Sequence, residues 1–400
     1  MKLSVLNSPT LKITAQAQWD TVAQSVLTLS KNIHARPETA FEEVYATASI
    51  CELLERRDFR VEREACGLPT AFVATCGFGS LTVALCAEYD ALPRLGHACG
   101  HNMIAAAAVG AALVLQPIVE LLDITVKVIG TPGEECGDGG GKILLLERGA
   151  FDGVHAAMMV HPAPFDSLDI NYLAAMRLEV IFKATSSYTS YGGASGGNAL
   201  NALTLTQVAI GLLSGTLDAY SRINGIVAEG GFSPNIMPDS TAAVYVVRAR
   251  TVPELKRLQQ RVIHCFEAAS LATGCGVTVT GGEKPYAEMH QHPLLLSLYR
   301  KNAEQRGRSF PSATGVHVGG PSTDMGNISL VIPSIHPCIG IGSWPVTNHQ
   351  PAFAQYCLGS AAEKAIEDGA LLMAATIMDV ASDHDVRNSF SGQSPIRIRE

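Results

Sequence analysis

Charge is scarce in this 400-residue chain: Asp, Glu, Lys and Arg make up 16% of it, against 47% hydrophobic residues. Such a chain buries much of itself and carries no disordered tail of note. The net charge of −8 is modest, and no run of Lys or Arg is dense enough to neutralise a row of phosphates, so nucleic acid is not an expected partner. The opening MKLSVLNSPTLKITAQAQW lacks the uninterrupted apolar core and small-residue cleavage site of a secretory signal. No apolar run reaches bilayer length: the longest, Met103 to Leu115, follows a His/Cys cluster and reads as a buried helix. A soluble, cytoplasmic protein with no membrane partner is the expectation. The ten cysteines, at irregular spacings such as Cys51, Cys66, Cys76, Cys86 and Cys99, lack the even framework of a disulfide scaffold and read mostly as small buried hydrophobes. Internal repeats at solenoid periods are absent too.

What is present is a chain too long for one core, so two domains are expected. Apolar positions recur every three or four residues over Trp19 to Ile33 and Phe41 to Arg57, predicting helices. Strands are predicted at Phe72 to Thr75, Leu81 to Ala87, Ile124 to Gly130 and Ala156 to Val160, with helices at Asn102 to Leu115 and Gly141 to Arg148. Alternating strands and helices imply an α/β fold, a mostly parallel sheet flanked by helices, with ligands at the carboxyl ends of the strands. Asp90, Glu134, Glu135 and His161 all fall just past such ends. From about Leu173 the texture changes: strand Arg177 to Lys183, a Gly/Ser-rich loop over 186–197, helix Ala199 to Leu213, strand Ala242 to Arg248, helix Val252 to Thr273, strand Gly276 to Thr280. That β-α-β-β-α-β-like order predicts a ferredoxin-like α+β module over 173–284, inserted into a first domain made of 1–172 and 285–400.

Gly96-His97-Ala98-Cys99-Gly100-His101-Asn102 places a thiol and two imidazoles within five residues ahead of a helix. Such donors suit zinc, nickel, cobalt or manganese rather than magnesium. The alternative, less favoured reading of this segment is that Cys99 is a buried filler and the histidines are helix-start hydrogen bonders. Glu134-Glu135 is either a solvated acidic loop or a pair in which one carboxylate binds metal while its neighbour handles a proton. His155, His264 and His290 read as ordinary surface or core residues.

Six motifs carry a family resemblance: AEYDALP (Ala87 to Pro93), GHACGHN (Gly96 to Asn102), GTPGEE (Gly130 to Glu135), His161-Pro162, NIMPD (Asn235 to Asp239) and STDMGN (Ser322 to Asn327). In order and at compatible spacing over nearly the whole chain, they resemble the aminoacylase and carboxypeptidase-G-like metallopeptidases. Within these, the resemblance is to the amidohydrolase subfamily of p-aminobenzoyl-glutamate hydrolase, indole-acetyl-amino-acid hydrolases and β-alanyl-lysine dipeptidase-like proteins. It implies that Cys99, His101, Glu135, His161 and His349 bind two divalent metal ions and that Glu134 is the general base. For the last ligand it favours His349, ahead of Phe353, over His336, which becomes a substrate contact. Asp90 then orients a ligand from outside the metal's own ligand set, and His97 is a candidate for such an outer role or for substrate contact. The resemblance also implies a homodimer through the inserted module.

The chain departs from the family pattern in that module. Relatives carry a His that reaches across the dimer into the partner's site; the aligned position is Tyr188. A second family His is Asn224. A Tyr or Asn still donates a hydrogen bond to an oxyanion but brings no cation near pH 7, and losing one good donor costs roughly 2.7 to 4 kcal/mol of barrier. The expected activity is metal-dependent hydrolysis of an N-acyl amino acid, a dipeptide-like or an aryl-amide small molecule. The alternative is a divergent member of the fold doing deamination or biosynthetic amide formation; a third reading, a dead binding dimer, sits poorly with the complete ligand set. Arg222, Arg248, His336 and Asn235 are candidates to anchor a substrate carboxylate.

Overall fold

The computed structural model describes residues 8–168, 170–185, 198–310 and 320–391. Two helices, α1 (Ser8–Ala35) and α2 (Val44–Glu55), lead into β1 (Arg60–Arg63), β2 (Phe72–Cys76), β3 (Leu81–Ala87), α3 (His101–Leu115), β4 (Ile124–Gly130), α4 (Gly141–Glu147), β5 (Ala156–Met158) and β6 (His161–Ala163). An inserted unit follows: β7 (Ala174–Lys183), α5 (Ala199–Ser214), β8 (Arg222–Glu229), β9 (Ser240–Ala249), α6 (Val252–Thr273) and β10 (Gly276–Gly281). The chain then returns as α7 (Pro293–Gln305), α8 (Met325–Ser329), β11 (Ser334–Ile335), β12 (Cys338–Gly340), α9 (Phe353–Tyr356), α10 (Ser360–Ser382) and α11 (His384–Ser391).

The first sheet runs β1-β2-β4-β3-β5-β11. Its β4, β3, β5 and β11 are mutually parallel, whereas β1 and β2 pair antiparallel at one edge. Both faces are covered, which is why β3 and β4 read as near-continuous apolar runs. Leu81, Val83 and Leu85 turn to one core with Val22 of α1, Val109 of α3 and Leu372 of α10. Ala84 and Cys86 turn to the other, with Leu145 of α4 and Met325 of α8. Each large aliphatic side chain so buried stabilises the fold by about 1.5–3 kcal/mol before entropy is counted. The apolar stretch His101–Ile118 is 89% buried between the sheet and its covering helices, as a core helix requires.

Strand β8 completes the ferredoxin-like order. The second sheet is fully antiparallel, β10-β7-β9-β8, with α5 and α6 on one face. Its core is separate: Met176, Leu178, Val180 and Phe182 alternate inward against Val262 and Phe266. Helix α6 starts where Thr251 accepts from the Glu254 N–H at 3.4 Å and stops at Gly274, φ +68°, the start and stop chemistry that its sequence advertises. Strand β8 carried no sequence signal because it is the sheet's edge; nearly all its side chains are exposed, so no alternation marks it.

Two expected elements change. The strand expected over Ala156 to Val160 stops at Met158, and His161 opens β6, which pairs in parallel with β12, His161 opposite Cys338. The first helix extends well beyond Trp19 to Ile33, reaching Ser8 and Ala35.

Candidate metal centre

The carboxyl ends of β3, β4, β5 and β11 share one edge of the sheet, and the chemistry-bearing residues emerge there. Past β3, Glu88, Tyr89 and Asp90 are all buried. Past β4, Gly133 turns the chain at φ +68°, and a Cβ on it would lie 2.6 Å from the Phe41 ring, so only glycine delivers Glu134 and Glu135 to the site. The turn is held by Glu43, whose Oε1 accepts from the N–H groups of Phe41 and Gly133, each at 2.9 Å. Gly100 starts α3 at φ +83°, and a Cβ there would sit 2.4 Å from Pro162. That close approach brings the Cys99-Gly100-His101 segment against His161-Pro162.

Two donor triplets result, Cys99/His101/His161 and Cys99/Glu135/His349, sharing the Cys99 thiol. Cys99 Sγ lies 3.5 Å from His161 Nε2 and 3.3 Å from His349 Nε2, and His349 Nε2 lies 3.2 Å from Glu135 Oε1. Tautomers follow from the outer bonds. His161 Nδ1 donates to the Pro162 carbonyl at 2.9 Å and His101 Nδ1 to Asp90 Oδ1 at 2.9 Å, so both rings turn Nε2 toward the thiol. Buried His101 Nε2 makes no hydrogen bond. Burial pushes His161 down to about 4, leaving a neutral imidazole with a free lone pair at pH 7. Converging soft and borderline donors, with ligand atoms of each triplet within 4.8 Å of one another, fit first-row divalent cations. His349 itself sits at φ +69°, a left-handed conformation rare outside glycine, with its N–H on the Ala98 carbonyl at 2.9 Å.

The two adjacent glutamates are pushed apart. Burial, then the charges of Glu88 and Glu135, hold Glu134 well above the usual carboxylate range. Burial also opposes ionisation of Glu135, but His349 and His101 outweigh it and hold Glu135 below that range. Such a split gives two adjacent carboxyls different proton affinities, Glu134 the higher and Glu135 the lower. Tyr286 fixes the segment, its hydroxyl donating to the Glu134 carbonyl at 2.6 Å and accepting from the Gly137 N–H at 3.2 Å.

A cavity of about 710 Å³ opens over these groups, walled by His336 and Tyr172 and, from the inserted sheet, by Arg177 and Arg248. Arg248 pairs with Ala175 and Arg177 with Val246, so the two arginines are diagonal neighbours on one face. His336 is buried, stacked on Tyr172 with ring centroids 4.9 Å apart, and among the described residues neither ring nitrogen has a hydrogen-bond partner.

Of the residues singled out in the sequence, Cys99, His101, Glu134, Glu135, His161, His349, Asp90, His336 and Arg248 come together here. Others do not. His97 is buried against His34, ring centroids 5.9 Å apart, and does not line the cavity. Asn224 lies on edge strand β8 opposite Val246, and Asn235 lines a different cleft with Phe232 and Ile236. Tyr188 lies outside the described residues. Sequence reasoning assigned no role to Glu88, Lys142, Asp324, Tyr172, Tyr286 or Arg177. Glu88 and Asp324 stand inside the AEYDALP and STDMGN motifs, which was the available signal.

An α/β sheet with an inserted ferredoxin-like unit and a Cys/His/Glu cluster at its strand ends is the arrangement of a metallopeptidase-like hydrolase of amide bonds. The family model for peptidase family M20/M25/M40 matches residues 84–379, and the chain belongs to that family. It is 36% identical over 387 residues to the Xaa-Arg dipeptidase of Mus musculus, covering 92% of this chain and 89% of that one. Against a p-aminobenzoyl-glutamate hydrolase chain of Escherichia coli (strain K12) it is 31% identical over 266 residues, 61% of this chain and 55% of the other. A dinuclear metal-binding peptidase of Bacillus subtilis shares the fold, with TM-score 0.65 at 20% identity over 90% of this chain and 99% of that one.

Proposed function

We propose that the protein hydrolyses the amide bond of an N-acyl amino acid or dipeptide-like small molecule, with Glu134 as general base and two divalent metal ions held by Cys99, His101, Glu135, His161 and His349. The observation that carries this reading is the pair of donor triplets that share the Cys99 thiol, with Glu134 beside them at 3.9 Å from His101 Nε2. When bound, the ions supply the positive charge that acidifies a water and polarises a carbonyl.

The chain's own residues do the rest. Glu134 takes the water's proton on its carboxylate and returns it to the leaving nitrogen. Burial raises its proton affinity, which suits it to hold that proton between the two steps. Neutral His336, without a hydrogen-bond partner among the described residues and lining the cavity, donates to the oxygen that gains charge. Arg248, joined by Arg177, meets a free carboxylate on the amino acid being released, a charge-assisted contact that fixes which amide lies over Glu134. The Xaa-Arg dipeptidase relative is consistent with such a substrate.

A homodimer is part of the proposal. Among the described residues strand β8 is a sheet edge bearing exposed Ile226 and Val227, and α5 exposes Val208 (55%) and Leu212 (73%), an apolar surface of the kind that marks an interface.

The test is turnover of N-acyl amino acids, dipeptides and p-aminobenzoyl-glutamate with added divalent metal. Activity should vanish with chelator, return with metal, and fall about 10²- to 10⁴-fold in Glu134→Gln, which keeps its ions. A panel left untouched by a protein carrying two ions would sink this reading.

A further inference from the structure

Behind the Cys99 cluster lies a second, wholly buried charge group that the scheme above does not use. Glu88 follows β3, Lys142 is the second residue of α4 and Asp324 precedes α8; all three side chains have zero exposure. Lys142 Nζ sits 2.5 Å from Glu88 Oε1 and 2.5 Å from Asp324 Oδ1. The other oxygen of Asp324 accepts from the Lys142 backbone N–H at 3.0 Å, so one carboxylate grips the lysine at both ends and fixes its ammonium in place.

Two carboxylates against one ammonium leave a net negative charge in a dry interior, which is costly unless something positive answers it. The unanswered oxygen can be named. Among the described residues Glu88 Oε2 makes no hydrogen bond and lies 3.5 Å from His101 Nε2, which makes none either, its Nδ1 being committed to Asp90. Glu88, His101 and Glu134 form a further donor triplet beside the two that share Cys99. A spacing of 3.5 Å is close to the ~3.3–3.4 Å edge of a tetrahedron whose ligands stand at about 2.0–2.1 Å from a zinc-like ion.

We infer that Glu88 is a further metal-site ligand, presenting Oε2 to the ion held by His101, and that Lys142, pinned by Asp324, is the positioning residue that aims it. The inference rests on the two-ion reading above. Oε1 on the ammonium stops the carboxylate from rotating, and Oε2 is left 3.5 Å from His101 Nε2.

The experiment is equilibrium dialysis of the full chain with Co²⁺, read by metal analysis and by the visible absorption of the bound ion. Folding is checked by circular dichroism. The wild type should hold two ions. Glu88→Gln should lose one, or bind it more than about 100-fold more weakly, with an altered spectrum. Lys142→Met should weaken the same ion by about 10- to 100-fold, the range seen when a ligand loses its outer support. Glu88→Asp keeps the charge and withdraws the oxygen by one methylene, so it decides the matter if Glu88→Gln does not fold, and it too should weaken that ion. Two ions bound within about threefold of wild-type affinity and with an unchanged spectrum, in whichever variant folds, would overturn the inference while leaving the hydrolase reading intact. A wild type holding fewer than two ions would overturn both.

Discussion

Asp90 holds two parts of the metal centre at once: Oδ1 takes the His101 Nδ1 proton at 2.9 Å, and Oδ2 takes the Glu135 backbone N–H at 2.9 Å. One carboxylate thus sets the tautomer of an imidazole from α3 and the position of a carboxylate past β4. Asp90→Ala should therefore weaken divalent-metal binding by about 10- to 100-fold, the usual cost of losing an outer-shell partner. Titration calorimetry measures it directly, and an affinity equal to the wild type's would show that the two contacts are incidental.

Arg248 lines the cavity from β9. Its replacement by Ala should lower kcat/KM for substrates with a free carboxylate by roughly 10- to 100-fold, the worth of one hydrogen bond to a charged group. Substrates whose carboxylate is amidated should be affected far less. Equal losses on both substrates would place Arg248 in the framework and not in recognition.

Glu43 links stability to pH. Burial first, and then the charge of Asp90, raises its carboxyl to about 7, against 4.5 for an ordinary glutamate, while Thr70 and backbone N–H groups oppose the rise. The folded protein therefore binds this proton more tightly than the unfolded chain. The stabilisation is complete below about pH 4.5 and disappears as pH rises through 7, by up to about 3 kcal/mol. Urea denaturation across that window should give a falling contribution in the wild type that is missing in Glu43→Gln. Identical slopes for the two proteins would remove Glu43 as the source.

Gly100→Ala meets two penalties together: a left-handed φ of +83° and a Cβ 2.4 Å from the Pro162 ring. Conformation contributes roughly 1–2 kcal/mol and overpacking roughly 1–3 kcal/mol. Thermal denaturation should show a loss in the sum of those ranges. Metal affinity should fall as well, since Cys99 and His101 flank the glycine; a variant with wild-type stability and affinity would refute the close-approach role.

Where local chemistry decides an element, the sequence was enough. Strands β3 and β4 and helix α6 occupy the residues read for them, because apolar runs bounded by turn residues, or a Thr cap with a following Gly, are local signals. Edge strand β8 was invisible for the converse reason, its side chains being exposed on both sides. In the site, Cys99 with His101 and Glu134 with Glu135 were legible because each pair is compact in sequence. Lys142 was not, since nothing around it in Gly140-Gly141-Lys142-Ile143 marks a buried charge; its partners Glu88 and Asp324 stand far away along the chain.

Pattern and motif thus determined the α/β class and the family. Tertiary structure decided which donors share a thiol, that His97 packs against His34 away from the cavity, that Asn235 belongs to another cleft in the single chain, and that Arg177 stands diagonal to Arg248. These depend on strand register and on the approach of segments distant in sequence. A one-residue slip would send every side chain of β7 to the other face, and no local pattern records which distant strand a residue will lie beside.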